Sequence, residues 1–170
     1  MAPSDHIPPE KTPAKRPAGG ELTFETPSPE ETEILGTRLG ALLAVGDLVD
    51  LRGDLGAGKT CFTRGLAQGL GIVDTVRSPT FTICHVHRGS IPLFHLDAYR
   101  LEDPEELIVR GWDEMRTHGV VAIEWGERVE ELLPEDRIVV ALSHVDVSRR
   151  MIQFRACGDR SREFLAALGP

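Results

Sequence analysis

The chain lacks any apolar run near the roughly 20 residues that a membrane-spanning helix needs. Its N-terminus also has no apolar core of the kind found in secretory signal peptides. Positive charge is scarce too, because 19 Lys and Arg against 27 Asp and Glu give a net charge of −8. Sequence-independent binding to nucleic acid or to an anionic membrane needs a basic surface. We therefore expect a cytoplasmic protein with no membrane partner and no strong direct binding to nucleic acid.

The cysteines give no sign of a disulfide framework. Cys61, Cys84 and Cys157 are odd in number and widely spaced, and none belongs to a C-x-x-C pair. The segment CHVH places His85 and His87 on one face of a predicted strand, where they would supply only two of the four ligands of a zinc site. An exposed strand face is the favoured interpretation, with a metal site as the alternative.

The composition divides the chain into a tail and one folded domain. Residues 1–21 are rich in proline, lysine and glycine and hold almost no large apolar side chains, which predicts a disordered tail. Residues 22–170 are enough for one domain with a substantial core, and they contain no visible internal repeat.

Strand-like and helix-like segments alternate along this domain. The predicted strands are DLVDL, PTFTICHV, IPLFHLDAY, GVVAIEW, RIVVALSHV and RRMIQFRAC. The predicted helices are SPEETEILGTRLGALLA, GKTCFTRGLAQGL, DPEELIVRGWDEMR, ERVEELL and SREFLAAL. Such alternation predicts an α/β sandwich with a largely parallel sheet.

A glycine-rich loop lies between the first of these strands and the helix that follows. Gly53 to Thr60 read G-x-x-x-x-G-K-T, within RGDLGAGKTCF. Glycines let backbone N–H groups converge on phosphate oxygens, and the helix N-terminus adds the positive end of its dipole. Lys59 can reach the β- and γ-phosphates, and the Thr60 hydroxyl can ligate Mg²⁺. The motif predicts a nucleoside triphosphate site in a P-loop NTPase-type three-layer sandwich.

Two further absences bear on the ligand of this loop. The chain contains no asparagine, so it cannot hold the N-K-x-D segment by which guanine-selective P-loop proteins usually read the base. ATP is therefore favoured over GTP. Beyond the tail Lys59 is the only lysine, so no second lysine can replace it at the phosphates.

Two carboxylates close apolar runs, Asp97 in IPLFHLD and Glu124 in VVAIE. In P-loop enzymes an acid at the carboxyl end of a central strand reaches Mg²⁺, because ligands bind at that edge of the sheet. The more continuous apolar run favours Glu124 as the metal acid. Asp97 would then orient or deprotonate the attacking water, or gate the site with His95 and Tyr99. The alternative is that each acid only caps a strand end in solvent.

Five segments together resemble a known family more specifically than the loop does alone. GDLGAGKTCFTRG, SPTF, HLDAYRL, DPEEL and IEWGER occur in the order and at the spacing of the TsaE (YjeE) family, over roughly residues 24–157. The resemblance implies a compact α/β ATPase that uses ATP and Mg²⁺ in the bacterial synthesis of threonylcarbamoyladenosine in tRNA. It also implies TsaB and TsaD as partner subunits and a role in repeated turnover, without transfer of the threonylcarbamoyl group itself.

The resemblance also assigns the site residues. Phosphate and nucleotide contacts fall on Thr32, Gly53, Asp54, Leu55, Gly56, Ala57, Gly58, Lys59, Thr60 and Cys61. Thr60 and Glu124 attend the metal, Asp97 and Glu124 are the catalytic acids, and Trp125 is the tryptophan beside the metal acid. Cys61 stands where a second threonine is commonest, and we expect little effect because it follows the Mg²⁺-ligating position. After about residue 140 the chain matches the family only weakly, and Ser148 or Arg149 is the candidate there for a contact with the base or ribose.

Two other functions stay open at this point. A small-metabolite or nucleotide kinase would use the same loop, but it also needs an arginine-bearing lid and an acceptor pocket. No compact R-x-x-R segment of that kind is present. A nucleotide-dependent scaffold with negligible turnover would differ from an ATPase mainly in rate. We expect a Mg²⁺-dependent ATPase that is weak alone and stimulated by its partners.

Overall fold

A computed structural model describes residues 20–73, 75–77, 79 and 82–169. Its strands are β1 Glu21–Thr26, β2 Leu48–Arg52, β3 Cys84–His87, β4 Leu93–Asp97, β5 Val120–Glu124, β6 Ile138–His144 and β7 Arg150–Ala156. Its α-helices are α1 Pro29–Gly40, α2 Lys59–Gly69, α3 Glu105–Val109, α4 Trp112–His118 and α5 Asp159–Leu168. Two 3₁₀ segments cover Ala98–Arg100 and Gly126–Leu132. No helix of the described part is long and apolar enough to cross a membrane.

All seven strands form one sheet in the order β1-β7-β6-β2-β5-β4-β3. The four central strands, β6, β2, β5 and β4, are parallel. The outer strands are antiparallel to their neighbours, with β7 and β1 on one side and β3 on the other. The predicted α/β class with a parallel central sheet is confirmed, and the antiparallel margins extend that centre on both sides.

Two apolar clusters cover the two faces of the sheet, which makes the fold a three-layer sandwich. On one face, Leu39 of α1, Phe62 of α2 and Phe164 of α5 pack against the sheet. On the other face, Leu107 of α3 and Trp112 of α4 do the same. All five residues of β5 are buried, as expected for a central strand covered on both faces.

Glycines set the position of α2, the helix that follows the glycine-rich loop, against α1. Gly36 and Gly40 of α1 face Gly65 and Gly69 of α2, and the two backbones approach so closely that no Cβ fits between them. A Cβ on Gly65 would overlap the carbonyl oxygen of Glu33. α1 begins at a Ser28 N-cap with Pro29 in its first turn, and both features stabilise the start of a helix. The glycine contact therefore packs α2, and the loop before it, against a helix with a defined start.

We expect the substitution Gly65→Ala to destabilise the fold by about 1–3 kcal/mol, the usual cost of forcing extra volume into a packed core. The reason is the overlap with backbone, which cannot move aside as a flexible side chain would. Urea unfolding followed by circular dichroism measures the effect. The matched control is Arg64→Ala, whose exposed side chain lies one residue earlier on the same helix. Equal stability of the Gly65→Ala and Arg64→Ala variants would contradict the close-packing interpretation.

An ion network around the buried Asp50 supports the segment that follows β5. Asp50 of β2 is fully buried and pairs with Arg52 at 2.6 Å, while Arg52 also contacts Glu130 at 2.6 Å. Arg137 bonds Glu130 and lies 3.6 Å from Asp50. Gly126 lies two residues after the end of β5, and a Cβ there would overlap the Asp50 carboxylate. Glycine at this position therefore lets the chain run close to the ion network.

Three features of the sequence-based organisation need correction. A strand at Glu21–Thr26 was not predicted, and it places Glu21, assigned to the tail, opposite Arg155 of β7. The predicted helix DPEELIVRGWDEMR is two helices, because Gly111 takes a left-handed conformation with φ of 89° between them. The segment ERVEELL lies in a 3₁₀ segment rather than an α-helix. Gly20, also assigned to the tail, accepts a hydrogen bond from the Ala156 N–H at 2.8 Å. Residues 1–19 of the predicted tail, and Ser78, Thr80 and Phe81 of SPTF, lie outside the described residues.

Candidate functional site

The glycine-rich loop leaves the carboxyl end of β2 and turns directly into α2. Gly53 has φ of 139°, and a Cβ there would overlap the Leu142 carbonyl of the neighbouring strand. Gly58, the residue before the helix, has φ of 107°. These left-handed conformations favour glycine, so the glycines at both ends of the loop are required by its path. The loop therefore points the N-terminus of α2 at the edge of the sheet where parallel strands end.

Lys59 is buried and turns back toward the loop. Its ammonium donates hydrogen bonds to the carbonyl oxygens of Gly53 at 2.6 Å and Asp54 at 3.0 Å. The same Nζ lies 4.8 Å from the centre of the Trp125 ring. A lysine ammonium has three donors, so two hold the loop in shape and one is left for an anion above it.

Trp125 follows β5 in a left-handed conformation, with φ of 60°. Its backbone N–H donates to the Leu51 carbonyl at 3.3 Å, which ties this turn to β2. Its ring packs beside Tyr99, with 5.1 Å between ring centres. A left-handed conformation is unfavourable for a non-glycine residue and persists only where surrounding contacts hold it. The contacts with Lys59, Leu51 and Tyr99 supply that restraint and place an aromatic wall beside the loop.

Both predicted acids lie at the carboxyl ends of adjacent parallel strands. Asp97 of β4 and Glu124 of β5 are register partners, and both are buried. The Asp97 carboxylate accepts a hydrogen bond from the Tyr99 N–H at 2.9 Å, which caps the short turn that follows. The Glu124 carboxylate oxygen Oε1 lies 2.8 Å from Nε2 of His95. The bond between Glu124 and His95 was not anticipated from the sequence.

These elements enclose a pocket of about 470 Å³, within the range of small-molecule sites. Its lining residues are Leu55, Gly56, Gly58, Lys59, Thr60, Cys61, Asp97, Tyr99, Arg100, Glu124 and Trp125. The pocket thus brings together six of the nine predicted loop residues and both predicted acids. The other three, Gly53, Asp54 and Ala57, shape the loop from behind and do not line the pocket.

Thr32 lies beside the loop rather than in the pocket. Its hydroxyl is hydrogen bonded to the Thr26 hydroxyl at 2.7 Å, and it also lies 3.2 Å from the Ser28 carbonyl. Its methyl group would lie 3.9 Å from a Cβ on Gly58. The structure therefore places Thr32 near the loop, while its hydroxyl is engaged by Thr26 and Ser28, which precede α1.

Arg150, at the start of β7, contacts the loop and was missed by the sequence reasoning. Its Nε donates to the Ala57 carbonyl at 3.1 Å, and its Nη1 donates to carbonyls of the turn between β6 and β7. The neighbouring residues suggested from the sequence, Ser148 and Arg149, instead bond Asp146 within that turn. Only the antiparallel return of β7 brings Arg150 to the loop, and no local motif signals that.

Burial affects two of the cysteines, Cys61 of α2 and Cys84 of β3. Partial burial raises the pKa of the Cys61 thiol, and nearby Arg64 acts in the opposite direction. Burial raises the pKa of Cys84 to about 11.

Within the described ranges, no group of three or more His, Cys, Asp or Glu could hold a metal ion by itself. His85 and His87 of CHVH face each other at 6.3 Å between ring centres.

Comparison with known proteins places this site in a family. Residues 26–152 match the family described as threonylcarbamoyl adenosine biosynthesis protein TsaE. A tRNA threonylcarbamoyladenosine biosynthesis protein TsaE from Bacillus subtilis is 43% identical over 142 residues, which cover 82% of this chain and 89% of that protein. A protein of the same name from Treponema pallidum is 47% identical over 116 residues, covering 68% of this chain and 86% of that protein.

A solved structure agrees with these relatives. The crystal structure of Bacillus subtilis YdiB superposes with a TM-score of 0.75 at 36% sequence identity, over 91% of this chain and 95% of that one. The family match spans the loop, both acids and Trp125, which are the residues that build the pocket. This chain belongs to the TsaE family.

Proposed function

We propose that the chain binds ATP with Mg²⁺ in the pocket at the end of β2 and hydrolyses it, in support of threonylcarbamoyladenosine synthesis on tRNA with TsaB and TsaD. One observation carries the proposal. Residues of the glycine-rich loop and two carboxylates from adjacent strand ends line the same 470 Å³ pocket. The relatives are named as tRNA threonylcarbamoyladenosine biosynthesis proteins, which supports the pathway.

The loop supplies the phosphate grip. Gly56 and Gly58 line the pocket at the start of α2, where converging N–H groups and the helix dipole favour a bound anion. Lys59 adds a full positive charge that its own loop holds in place. Trp125 closes one side against Lys59 and keeps water from that side of the ammonium. The pocket is therefore suited to a triphosphate.

The oxygen donors of the pocket fit Mg²⁺. Thr60 offers a hydroxyl and Glu124 a buried carboxylate, and both line the pocket. Mg²⁺ is usually held by one or two carboxylates together with substrate phosphates, so this small set of protein ligands is sufficient. When bound, the metal would neutralise charge on the phosphate oxygens.

Asp97 is the residue that we assign to the attacking water. Its carboxylate lies in register with Glu124 on the next strand and faces the same pocket. The bond from the Tyr99 N–H fixes the Asp97 side chain at the start of the Ala98–Arg100 turn. A carboxylate held in that way can accept a proton from water near the terminal phosphate, or orient the water through a hydrogen bond.

Reconstitution of tRNA modification tests the proposal. TsaB, TsaD, tRNA and the threonylcarbamoyl donor are combined with and without this protein and ATP, and both modified tRNA and released phosphate are measured. We expect little phosphate release by the protein alone, more with its partners, and multiple turnovers of modification only when the protein and ATP are present. Phosphate transfer to a small-molecule acceptor would favour a kinase instead. Equal modification without this protein would contradict the proposed role.

A further inference from the structure

His95 is a polar side chain in a position where the strand pattern calls for an apolar one. It is fully buried on β4, on the face that also carries Leu93 and Asp97. Burying an imidazole costs desolvation that an apolar side chain would not incur, so such a residue needs a compensating contact. Its contact is Glu124, at 2.8 Å between Nε2 and Oε1.

We propose that His95 is a positioning residue that fixes the Glu124 carboxylate for Mg²⁺. The inference rests on the proposed function, because it concerns how the same pocket takes its metal. Residues that hydrogen bond a metal-binding carboxylate typically orient it, and their loss weakens metal binding by about 10- to 100-fold. Glu124 is 5% exposed and lines the pocket, so its side chain is within reach of both His95 and a bound metal.

The hydrogen bond gives the two oxygens of the Glu124 carboxylate different surroundings. Oε1 is engaged by His95, and Oε2 accepts no hydrogen bond from the described residues. A carboxylate pinned through one oxygen can present the other in a single direction. The strand register supports this arrangement, because β4 and β5 are parallel partners and His95 lies opposite Ala122, whose small side chain leaves room for the contact.

The surroundings of the ring show which contact orients it. A carboxylate only accepts hydrogen bonds, so Nε2 carries the proton of the bond to Glu124. Nδ1 is buried with no hydrogen-bond partner in the described part of the chain. The other flank of the ring meets His87, with 6.1 Å between ring centres. Among the described residues, the ring is therefore oriented by its hydrogen bond to Glu124.

Two substitutions separate positioning from packing. His95→Leu keeps an apolar side chain in the core but removes the donor. His95→Gln keeps an N–H donor, because the glutamine amide nitrogen can occupy the place of Nε2. Binding of a fluorescent ADP analogue is measured first with a chelator and then with increasing Mg²⁺, so that metal-free affinity and Mg²⁺ dependence are obtained separately.

We expect His95→Leu to raise, by about 10-fold or more, the Mg²⁺ concentration that gives half of the Mg²⁺-dependent gain in nucleotide affinity. The affinity measured with the chelator should stay within about twofold of that of the unaltered protein. His95→Gln should recover most of the Mg²⁺ dependence. In a Glu124→Ala background, His95→Leu should cause no further loss, because its action passes through Glu124. The control Leu93→Ala, on the same face at the other end of β4, should leave Mg²⁺ dependence unchanged although it loosens the core.

Three results would overturn the assignment of His95. These are normal Mg²⁺ dependence in His95→Leu, equal losses in the Leu and Gln variants, or a full additional loss in the Glu124→Ala background. If His95→Leu does not fold, His95→Met takes its place in all three comparisons, because methionine is also apolar, lacks an N–H donor and adapts to irregular space in a core. If the unaltered protein does not bind nucleotide, both the proposed function and this inference are wrong. If it binds nucleotide and one of the three results is found, only the inference about His95 is wrong.

Discussion

Lys59→Ala should weaken binding of ATP by about 30-fold to several thousand-fold. Removing one partner of a buried charge pair costs roughly 2–5 kcal/mol, which corresponds to that range. Lys59 is 5% exposed, and two of its three donors already bond the carbonyls of Gly53 and Asp54. The substitution therefore removes the charge above the loop and also releases the carbonyls that shape it. Titration with a fluorescent ATP analogue gives the affinity directly.

The control for Lys59→Ala is Arg64→Ala on the same helix. Arg64 carries the same charge, but it is exposed and pairs with Glu33 at 3.3 Å, and it does not bond the loop carbonyls as Lys59 does. We expect its loss to change ATP affinity by no more than about twofold, because exposed ion pairs contribute little. Equal weakening by the two substitutions would show a general charge effect. Unchanged affinity in Lys59→Ala would contradict the P-loop assignment.

The parts of the site that the sequence predicts are those encoded in short segments. The G-x-x-x-x-G-K-T spacing predicts the loop because its two glycines, Gly53 and Gly58, stand where the backbone takes a positive φ that favours glycine. The run VVAIE predicts a central strand because both faces of β5 are covered. The placement of Glu124 at the carboxyl end of that strand then follows from the direction of the chain.

The parts that the sequence does not predict depend on partners far along the chain. β1 alternates polar and apolar residues but holds only two large apolar side chains, Leu22 and Phe24, and it is completed by pairing with β7, more than 120 residues later. The pattern of DPEELIVRGWDEMR continues in helical period through Gly111, and the break there turns Trp112 into the core. In both cases tertiary contacts decide between conformations that the local pattern leaves close in energy.

The same distinction applies to the contacts around the loop. The bond between His95 and Glu124 joins residues 29 apart in sequence, and it exists only because β4 and β5 are parallel neighbours in one register. Arg150 reaches Ala57 across 93 residues by the antiparallel return of β7. Residue types alone identify candidates for such contacts, whereas the strand order decides which of them meet.

The two acids should fail in different ways when they are replaced. Glu124→Ala should lower Mg²⁺-dependent ATP hydrolysis with partners by at least about 100-fold, and binding of metal-free nucleotide should change much less. Its buried carboxylate lines the pocket with Thr60, and we assign these two groups to the metal, so we expect the loss to act through Mg²⁺. Asp97→Ala should lower hydrolysis by about 100-fold, the lower end of what a positioned acid or base contributes, while Mg²⁺-dependent binding is kept.

Asp97→Asn separates chemistry from structure at the second acid. Asparagine can still accept the hydrogen bond from the Tyr99 N–H, which spans 2.9 Å, but it cannot take a proton from water. If Asp97 acts on the attacking water as a base, the Asn variant should hydrolyse ATP as slowly as the Ala variant, although the turn stays capped. Near-normal hydrolysis in Asp97→Asn would assign Asp97 to the turn or to orienting the water through its oxygen. Phosphate release is measured for each variant with TsaB and TsaD present. If both Glu124→Ala and Asp97→Ala hydrolysed ATP normally, the roles of holding Mg²⁺ and of acting on the water would have to be assigned to other residues.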